Sequence, residues 1–298
     1  MKFEIVLPAK NESQGLRKLL PRLISTVPSP EHIIVIDDGS TDDTRAVAAK
    51  YGVRVIRHPY SMGNGAAIKT GARAATGDII VFMDADAQHD PDDIPALLAE
   101  LAKGYDMVVG ARGAGSQASA ARSVANRLYN RLASFMVEHT VEDLTSGFRA
   151  VKTIKFREFL HLLPNGFSYP TTITMAFFRA GYPVSYVPIA AGRRVGTSHI
   201  KLVRDGMRFL LIIFRVGTLY SPLKLFFPIS LAFTALGAGY ATYTLIWLGR
   251  FTNMSVVLLG VGTLVFLIGL VSEQVTALMY QGTNRRRTTD SGPERPAE

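Results

Sequence analysis

Two long apolar spans near the C-terminus constrain this chain most. Residues 225–249 contain no charged side chain. At the rise of an α-helix they reach about 37 Å, enough to cross the hydrocarbon core of a bilayer. Residues 255–272 follow after a five-residue connection and end at Glu273; by the same rule they span about 27 Å. A buried helical hairpin in a soluble domain is the competing reading, and two such spans so closely joined favour a transmembrane hairpin. Lys201, Arg204, Arg208, Arg215 and Lys224 precede the first span, Arg285, Arg286 and Arg287 follow the second, and the connection holds only Arg250. The positive-inside rule then predicts a multi-pass protein of the cell membrane with both termini in the cytoplasm. The chain enters on Met1-Lys2-Phe3-Glu4 and a strand-like run, with no signal-peptide pattern, so targeting is expected from the C-terminal half.

The hydrophobic residues, 48% of all 298, are unevenly spread. The first two hundred positions read as a soluble domain. Short apolar runs at 3–7, 32–36, 53–56, 79–83 and 107–109 alternate with helical spacing at 16–24, 44–50, 66–75 and 94–101. This alternation predicts an α/β domain with a mainly parallel sheet, whose binding crevice lies at the carboxyl ends of the strands. Past residue 107 the pattern loosens. A small polar stretch at 113–121 precedes a helix at about 124–138, then a turn and another helix, a helix at 168–180 and a last strand at 184–188. At 100° per residue, Lys201, Arg204, Arg208 and Arg215 fall in one stripe about 60° wide on an otherwise apolar segment. Such a helix suits a membrane interface better than packing on its own domain. The expected organisation is therefore a catalytic domain at 1–200, a juxtamembrane amphipathic segment at 201–224, two transmembrane helices at 225–281 and a disordered tail at 282–298. Lys plus Arg exceed Asp plus Glu by 33 − 24 = 9. The membrane-flanking basic residues explain that excess better than nucleic-acid binding does, so no nucleic-acid partner is expected. The chain has no cysteine, which removes disulfides and thiolate metal sites and fits a reducing compartment.

The chemistry-bearing residues sit where strands end. The run Ile79-Ile80-Val81-Phe82-Met83 leads into Asp84-Ala85-Asp86-Ala87-Gln88-His89-Asp90-Pro91. Two carboxylates one residue apart, followed by an amide, offer oxygen ligands to Mg²⁺ or Mn²⁺, hard cations that also bind substrate phosphates. Asp92 and Asp93 are read instead as the acidic first turn of a helix. His89 has no second His at ligand spacing, so a zinc site is not expected. After the second strand comes Asp37-Asp38-Gly39-Ser40-Thr41, where a hydroxyl can cap the next helix but capping leaves Asp37 and Asp38 unexplained. After the first comes Pro8-Ala9-Lys10-Asn11-Glu12. Gly63-Asn64-Gly65 is not a dinucleotide fingerprint, because Ile68 occupies the third glycine position.

The segments LPAKNE, VIDDGSTDDT, GNGAAIKTGARAATGD, DADAQHDP and DLTSGFRA, in this order, resemble the dolichyl-phosphate mannose synthase type of family 2 glycosyltransferases. The resemblance covers roughly residues 3–200, and the paired C-terminal spans match its membrane-anchored members. It implies a GT-A fold (a Rossmann-like mixed sheet), inversion at the anomeric carbon and a divalent metal. It also implies that Pro8, Glu12, Asp37 and Asp38, with Asn11, Lys69 and Asp84, line the nucleotide-sugar pocket. Asp84, Asp86 and Gln88 would hold the metal on the diphosphate. Arg112, Arg122, Arg149, Arg193 and Ser198 would bind an acceptor phosphate, since arginine forks match phosphate oxygens. Asp86, Asp143 and Arg122 are the expected catalytic residues, with the alternative that Asp143 only caps the turn before Thr145-Ser146-Gly147. Where the family carries Lys after its Gly-x-Ser, this chain has His199.

The expected function is inverting transfer of a sugar, from GDP-mannose or a UDP-hexose for example, to a polyprenyl phosphate at the cytoplasmic face of a lipid bilayer. The expected partners are the nucleotide sugar, the polyprenyl phosphate and the bilayer; whether the chain forms a homo-oligomer stays open. One rival is a processive polysaccharide synthase on the same fold. Its Gln-x-x-Arg-Trp motif is missing, since Trp247, inside the first span, is the only tryptophan. Another is a non-catalytic membrane scaffold, which the intact Asp-Ala-Asp-x-Gln set argues against.

Overall fold

The structure, a computed structural model, describes residues 2–112, 120–166, 169–189, 217–218 and 220–290, and of residues 120–126 and 280–290 the backbone alone. The chain divides into two compact units, residues 1–207 and 208–298.

The first unit is a seven-stranded mixed sheet with helices. Its strands are β1 (Phe3–Ala9), β2 (Ile33–Asp37), β3 (Arg54–Arg57), β4 (Ile79–Phe82), β5 (Met107–Arg112), β6 (Arg149–Lys152) and β7 (Val184–Ile189). They lie in the order β3-β2-β1-β4-β6-β5-β7. Every pairing is parallel except those of β6, which runs antiparallel to β4 and to β5. The middle strands are buried on both faces: Ile33, Ile34, Val35 and Ile36 of β2 are all 0% exposed. That burial is why they read as continuous apolar runs rather than alternating ones. The helices are α1 (Ser13–Ile24), α2 (Thr44–Lys50), α3 (Asn64–Ala74), α4 (Ile94–Ala102), α5 (Ala120–Val137), α6 (Thr153–Glu158) and α7 (Tyr169–Arg179). In α1 the buried residues Leu16, Leu19, Leu20 and Leu23 recur at helical spacing and seat it on the sheet.

The six strands expected from sequence are present, and β6 is the addition. Its four residues are too short to show a period, and it opens on an arginine. Pairing creates it: Arg149 to Lys152 lie in register with Phe82 to Ile79 of β4. It lies between β4 and β5, and its first residue brings the end of the DLTSGFR segment beside Phe82, at the carboxyl end of β4.

The second unit is a hairpin of α8 (Pro222–Leu248) and α9 (Asn253–Asp290). Both contain 27-residue stretches long and apolar enough to cross a membrane, about 40 Å each. Only 11% and 17% of their most apolar windows are buried, unlike core helices of a soluble domain. Leu231, Leu245, Trp247, Leu264 and Val271 are all more than half exposed. Between the helices, Ser230 Oγ donates to Gly262 O at 2.8 Å. Glu273 Oε2 accepts from Ser221 Oγ (3.1 Å) and Leu223 N–H (3.2 Å) at the start of α8, placing a carboxylate on the positive end of that helix. The helix α9 continues to Asp290, into the stretch expected from residue 282 to be disordered; its early residues carry it on as helix without a break. Residues 201–216 and 219 of the amphipathic segment expected at 201–224 lie outside the described residues.

Candidate active site

The loops leaving β1, β2 and β4 meet at one end of the sheet. Asn11, held at a positive φ of 56°, ties the first loop to the second. Its N–H donates to Ser40 Oγ (3.0 Å), and its Oδ1 accepts from the Thr41 N–H (2.9 Å). The Glu12 N–H donates to Thr44 Oγ1 (2.9 Å), and the Ser13 N–H to Asp42 Oδ2 (3.2 Å). Asn is among the side chains that tolerate this left-handed conformation, and the bonds on either side hold it there. Between this lacing and the loop after β4 lies a cleft of about 150 Å³, lined by Asn11, Glu12, Gln14, Lys18, Asp42 and Asp86 among others.

Of the expected nucleotide-pocket residues, Asn11 and Glu12 line this cleft and Pro8 sits beneath it in β1, paired with Ile36. Asp37, 1% exposed, accepts the Ser40 N–H at 2.8 Å and lies 3.6 Å from Arg57 Nε. Asp38 is engaged inside the protein. Its carboxylate accepts from the Met62 and Gly63 N–H groups (2.7 and 2.9 Å) and from Ser61 Oγ (2.9 Å), and meets His58 Nδ1 at 2.7 Å. Burial alone would raise its pKa; His58 and these donors outweigh burial and hold it low. Asp38 therefore shapes the 58–63 loop from within. Lys69 is drawn elsewhere, its ammonium donating to Leu163 O (3.2 Å) and Asn165 Oδ1. Burial, aided by Arg73, lowers its pKa. Two amides in the first turn of α3 are likewise spent, Gly65 N–H on Gly166 O and Ala66 N–H on Asn165 O.

The loop after β4 carries the oxygen donors. Asp84 is 40% exposed at its side chain, Asp86 faces the cleft with Oδ1 accepting the Gln88 N–H at 3.1 Å, and Ala87 takes a positive φ of 58°. Among the described residues no three His, Asp or Glu side chains gather as a complete metal cage. Two carboxylates and an amide on one loop are oxygen donors of the kind that suits Mg²⁺ or Mn²⁺ completed by water and substrate phosphate. The donor chemistry therefore fits the metal. Behind Asp84 stands Gly147, where a Cβ would fall 2.8 Å from Asp84 Oδ2.

The arginines are sorted differently from the expectation. Arg112 grips Asp143 through Nε (2.8 Å) and Nη2 (3.1 Å). Asp143 also accepts the N–H groups of Thr145 and Ser146, each at 3.0 Å. It thus caps the Thr145-Ser146-Gly147 turn, as the alternative reading had it. Burial pushes its pKa up, but Arg112 and the amides hold it below the usual carboxylate range. Arg149 is 0% exposed. Its guanidinium donates to Pro170 O (3.2 Å), Thr174 Oγ1 (3.2 Å) and Ser146 O, with Nε unpartnered. As the first residue of β6 it points into the interior, and burial lowers its pKa. Its assignment to the acceptor phosphate is corrected: no face of it reaches solvent. The Arg122 side chain, Arg193 and Ser198 lie outside the described residues. Sequence reasoning missed Gln14, Lys18 and Asp42. Gln14 and Lys18 are four apart on α1, one face of a helix that opens after the first motif.

Residues 4–160 match Glycosyl transferase family 2, and residues 221–278 match the GtrB C-terminal hairpin. An uncharacterized glycosyltransferase of Mycobacterium tuberculosis is 42% identical over 108 residues, 36% of this chain and 47% of that protein. The match thus spans about half the length of the first curated relatives. Glycosyltransferase AglJ of Haloferax volcanii is 29% identical over 269 residues, 85% of this chain and 88% of its own. The dolichol-phosphate mannosyltransferase of Pyrococcus furiosus is 36% identical over 117 residues, 38% of this chain and 33% of its own. Among solved structures, glucosyl-3-phosphoglycerate synthase from Mycobacterium tuberculosis, in complex with Mn²⁺ and UDP-glucose, superposes with a TM-score of 0.58 at 24% identity, over 72% of this chain and 78% of that one. That likeness shows the fold, a GT-A-like mixed sheet.

Proposed function

We propose, on the premise that this chain belongs to glycosyl transferase family 2, that it transfers a sugar from a nucleotide sugar to a polyprenyl phosphate at a membrane surface. The observation that carries this reading is the cleft that sets Asn11, Glu12 and Lys18 beside Asp86, in a chain that also carries the GtrB-type hairpin. The Pyrococcus relative, named for dolichol phosphate, supports the acceptor class.

The nucleotide lies in the cleft against Asn11, Glu12 and the Asp37 loop, whose mutual hydrogen bonds fix the walls before the ligand arrives. Asp84, Asp86 and Gln88 hold the divalent cation. When bound, Mg²⁺ or Mn²⁺ supplies positive charge to the departing diphosphate. Lys18, at the same cleft, adds a mobile cation that favours an anionic ligand. The acceptor phosphate attacks the anomeric carbon from the face opposite the leaving group, inverting it. A phosphate monoester has a second pKa near about 6 and is largely ionised at neutral pH, so the reaction needs no strong base. Asp143, committed to Arg112 and its own turn, is then free of that duty. Arg122, Arg193 and Ser198 are assigned to the acceptor phosphate. The catalytic unit lies on the cytoplasmic side, with residues 225–281 in the bilayer.

Replacement of Asp86 by Asn keeps the volume and removes a charge that balances the cation. Labelled sugar transfer to lipid should fall to background, with the protein still folded and membrane-inserted. Wild-type transfer that persists in EDTA-treated, metal-free buffer would refute the metal's role.

A further inference from the structure

The two most specific motifs, DADAQH and SGFR, interlock. His89 of the first stacks on Phe148 of the second, with ring centroids 5.1 Å apart and planes 25° from parallel. His89 Nε2 lies 3.8 Å from Asp84 Oδ2. Gly147 faces the same carboxylate: a Cβ there would come within 2.8 Å of Oδ2 and 3.2 Å of Cγ.

The backbone behind this contact is held at successive peptide groups. Ser146 N–H is capped by Asp143 and Ser146 O accepts from Arg149 Nη2. Gly147 O accepts the Tyr169 hydroxyl at 3.1 Å, and Phe148 O accepts the Gly110 N–H at 2.9 Å. Tyr169 and Arg149, 1% and 0% exposed, anchor these bonds in the interior. A buried guanidinium with no carboxylate within ion-pair distance among the described residues is costly to keep. Its bonds tie helix α7 to the Ser146 peptide, which gives it a mechanical purpose.

We propose that residues 146–149 form a rigid backstop that sets the position of the Asp84 carboxylate. Gly147 is its contact point, and Tyr169 and Arg149 are positioning residues that act through it. This deepens the reading of Asp84 as a metal ligand and rests on it. The Asp84 carboxylate lies where a side chain at 147 would stand, so the held backbone fixes how close it sits and any Cβ there pushes it out of place. Groups that orient a metal's ligands in this way typically govern affinity by about ten- to a hundredfold.

The test uses the full-length protein in detergent, with Mn²⁺ as the probe in the presence of UDP and, separately, of GDP. Free Mn²⁺ is read by electron paramagnetic resonance, and the thermal midpoint is measured in metal-free buffer. Gly147→Ala should weaken Mn²⁺ binding by about tenfold or more at an unchanged midpoint. In turnover, the Mn²⁺ concentration for half-maximal rate should rise, while the rate at saturating Mn²⁺ recovers. A merely structural role would not produce that recovery. Should Gly147→Ala fail to fold, Tyr169→Phe decides, since it removes only the hydroxyl that holds Gly147 O: weaker Mn²⁺ binding at an unchanged midpoint supports the backstop. Mn²⁺ affinity equal to wild type in a folded variant overturns it while leaving the metal reading intact. No Mn²⁺ binding by the wild type overturns both.

Discussion

Asp143 and Arg112 show at the residue scale how a carboxylate near a reaction centre can serve the scaffold. Asp143 is 5% exposed and its oxygens are claimed by Arg112 and by the turn it caps. A carboxyl with a depressed native pKa adds stability above its unfolded value, about 3.9, and loses it as pH falls through the native value. Asp143→Asn should therefore be less stable by about 3 kcal/mol at neutral pH, the cost of stranding a buried partner. Chemical denaturation should show that deficit shrinking as pH drops below about 4. A constant deficit from pH 7 to pH 3 would mean that the charge is not what holds the turn. That Asn11, Glu12 and Asp86 gather at one cleft was legible in the sequence, because each follows an apolar run whose strand end opens on that side of the sheet. Arg149 was misread for the converse reason. An arginine reads as a surface cation, and nothing local reveals that helix α7 supplies Pro170 O and Thr174 to enclose it. The contacts of Lys69 were likewise invisible locally, because its partners Leu163 and Asn165 lie more than ninety residues away.

The parallel βα elements follow directly from their apolar runs, and the strand that escaped the pattern is β6. Its existence depends on two neighbours, β4 and β5, and its four residues carry no period of their own. The hairpin helices were legible from length and apolarity, while the turn at their start was not, because Glu273 reaches it from the other helix. Their flanking charges support an orientation that engineered cysteines can test, since the chain has none of its own. Asn253, exposed at the start of α9, is a suitable site, whereas the neighbouring Ser255 is fully buried. Lys103, with a side chain 67% exposed, reports on the catalytic unit. Introduced singly in sealed vesicles, Lys103→Cys should react with an impermeant maleimide from the cytoplasmic side and Asn253→Cys from the other. Reaction of both from one side would refute the transmembrane hairpin.

At the scale of the whole molecule, a family 2 catalytic unit is joined in one chain to a GtrB-type hairpin. On the proposed reading a polyprenyl phosphate supplies a reason for that union, where a water-soluble acceptor gives none. The structural relative that makes glucosyl-3-phosphoglycerate shares the sheet, which makes its acceptor the natural comparison. The decisive measurement supplies purified protein in lipid nanodiscs with Mn²⁺ and radiolabelled UDP-glucose or GDP-mannose. Polyprenyl phosphate and 3-phosphoglycerate are offered in parallel, and product is followed into organic and aqueous phases. The account predicts label in the organic phase, dependent on polyprenyl phosphate and lost with Asp86→Asn. Label that appears only in the aqueous phase with 3-phosphoglycerate, or label in neither phase with any nucleotide sugar tried, would contradict it.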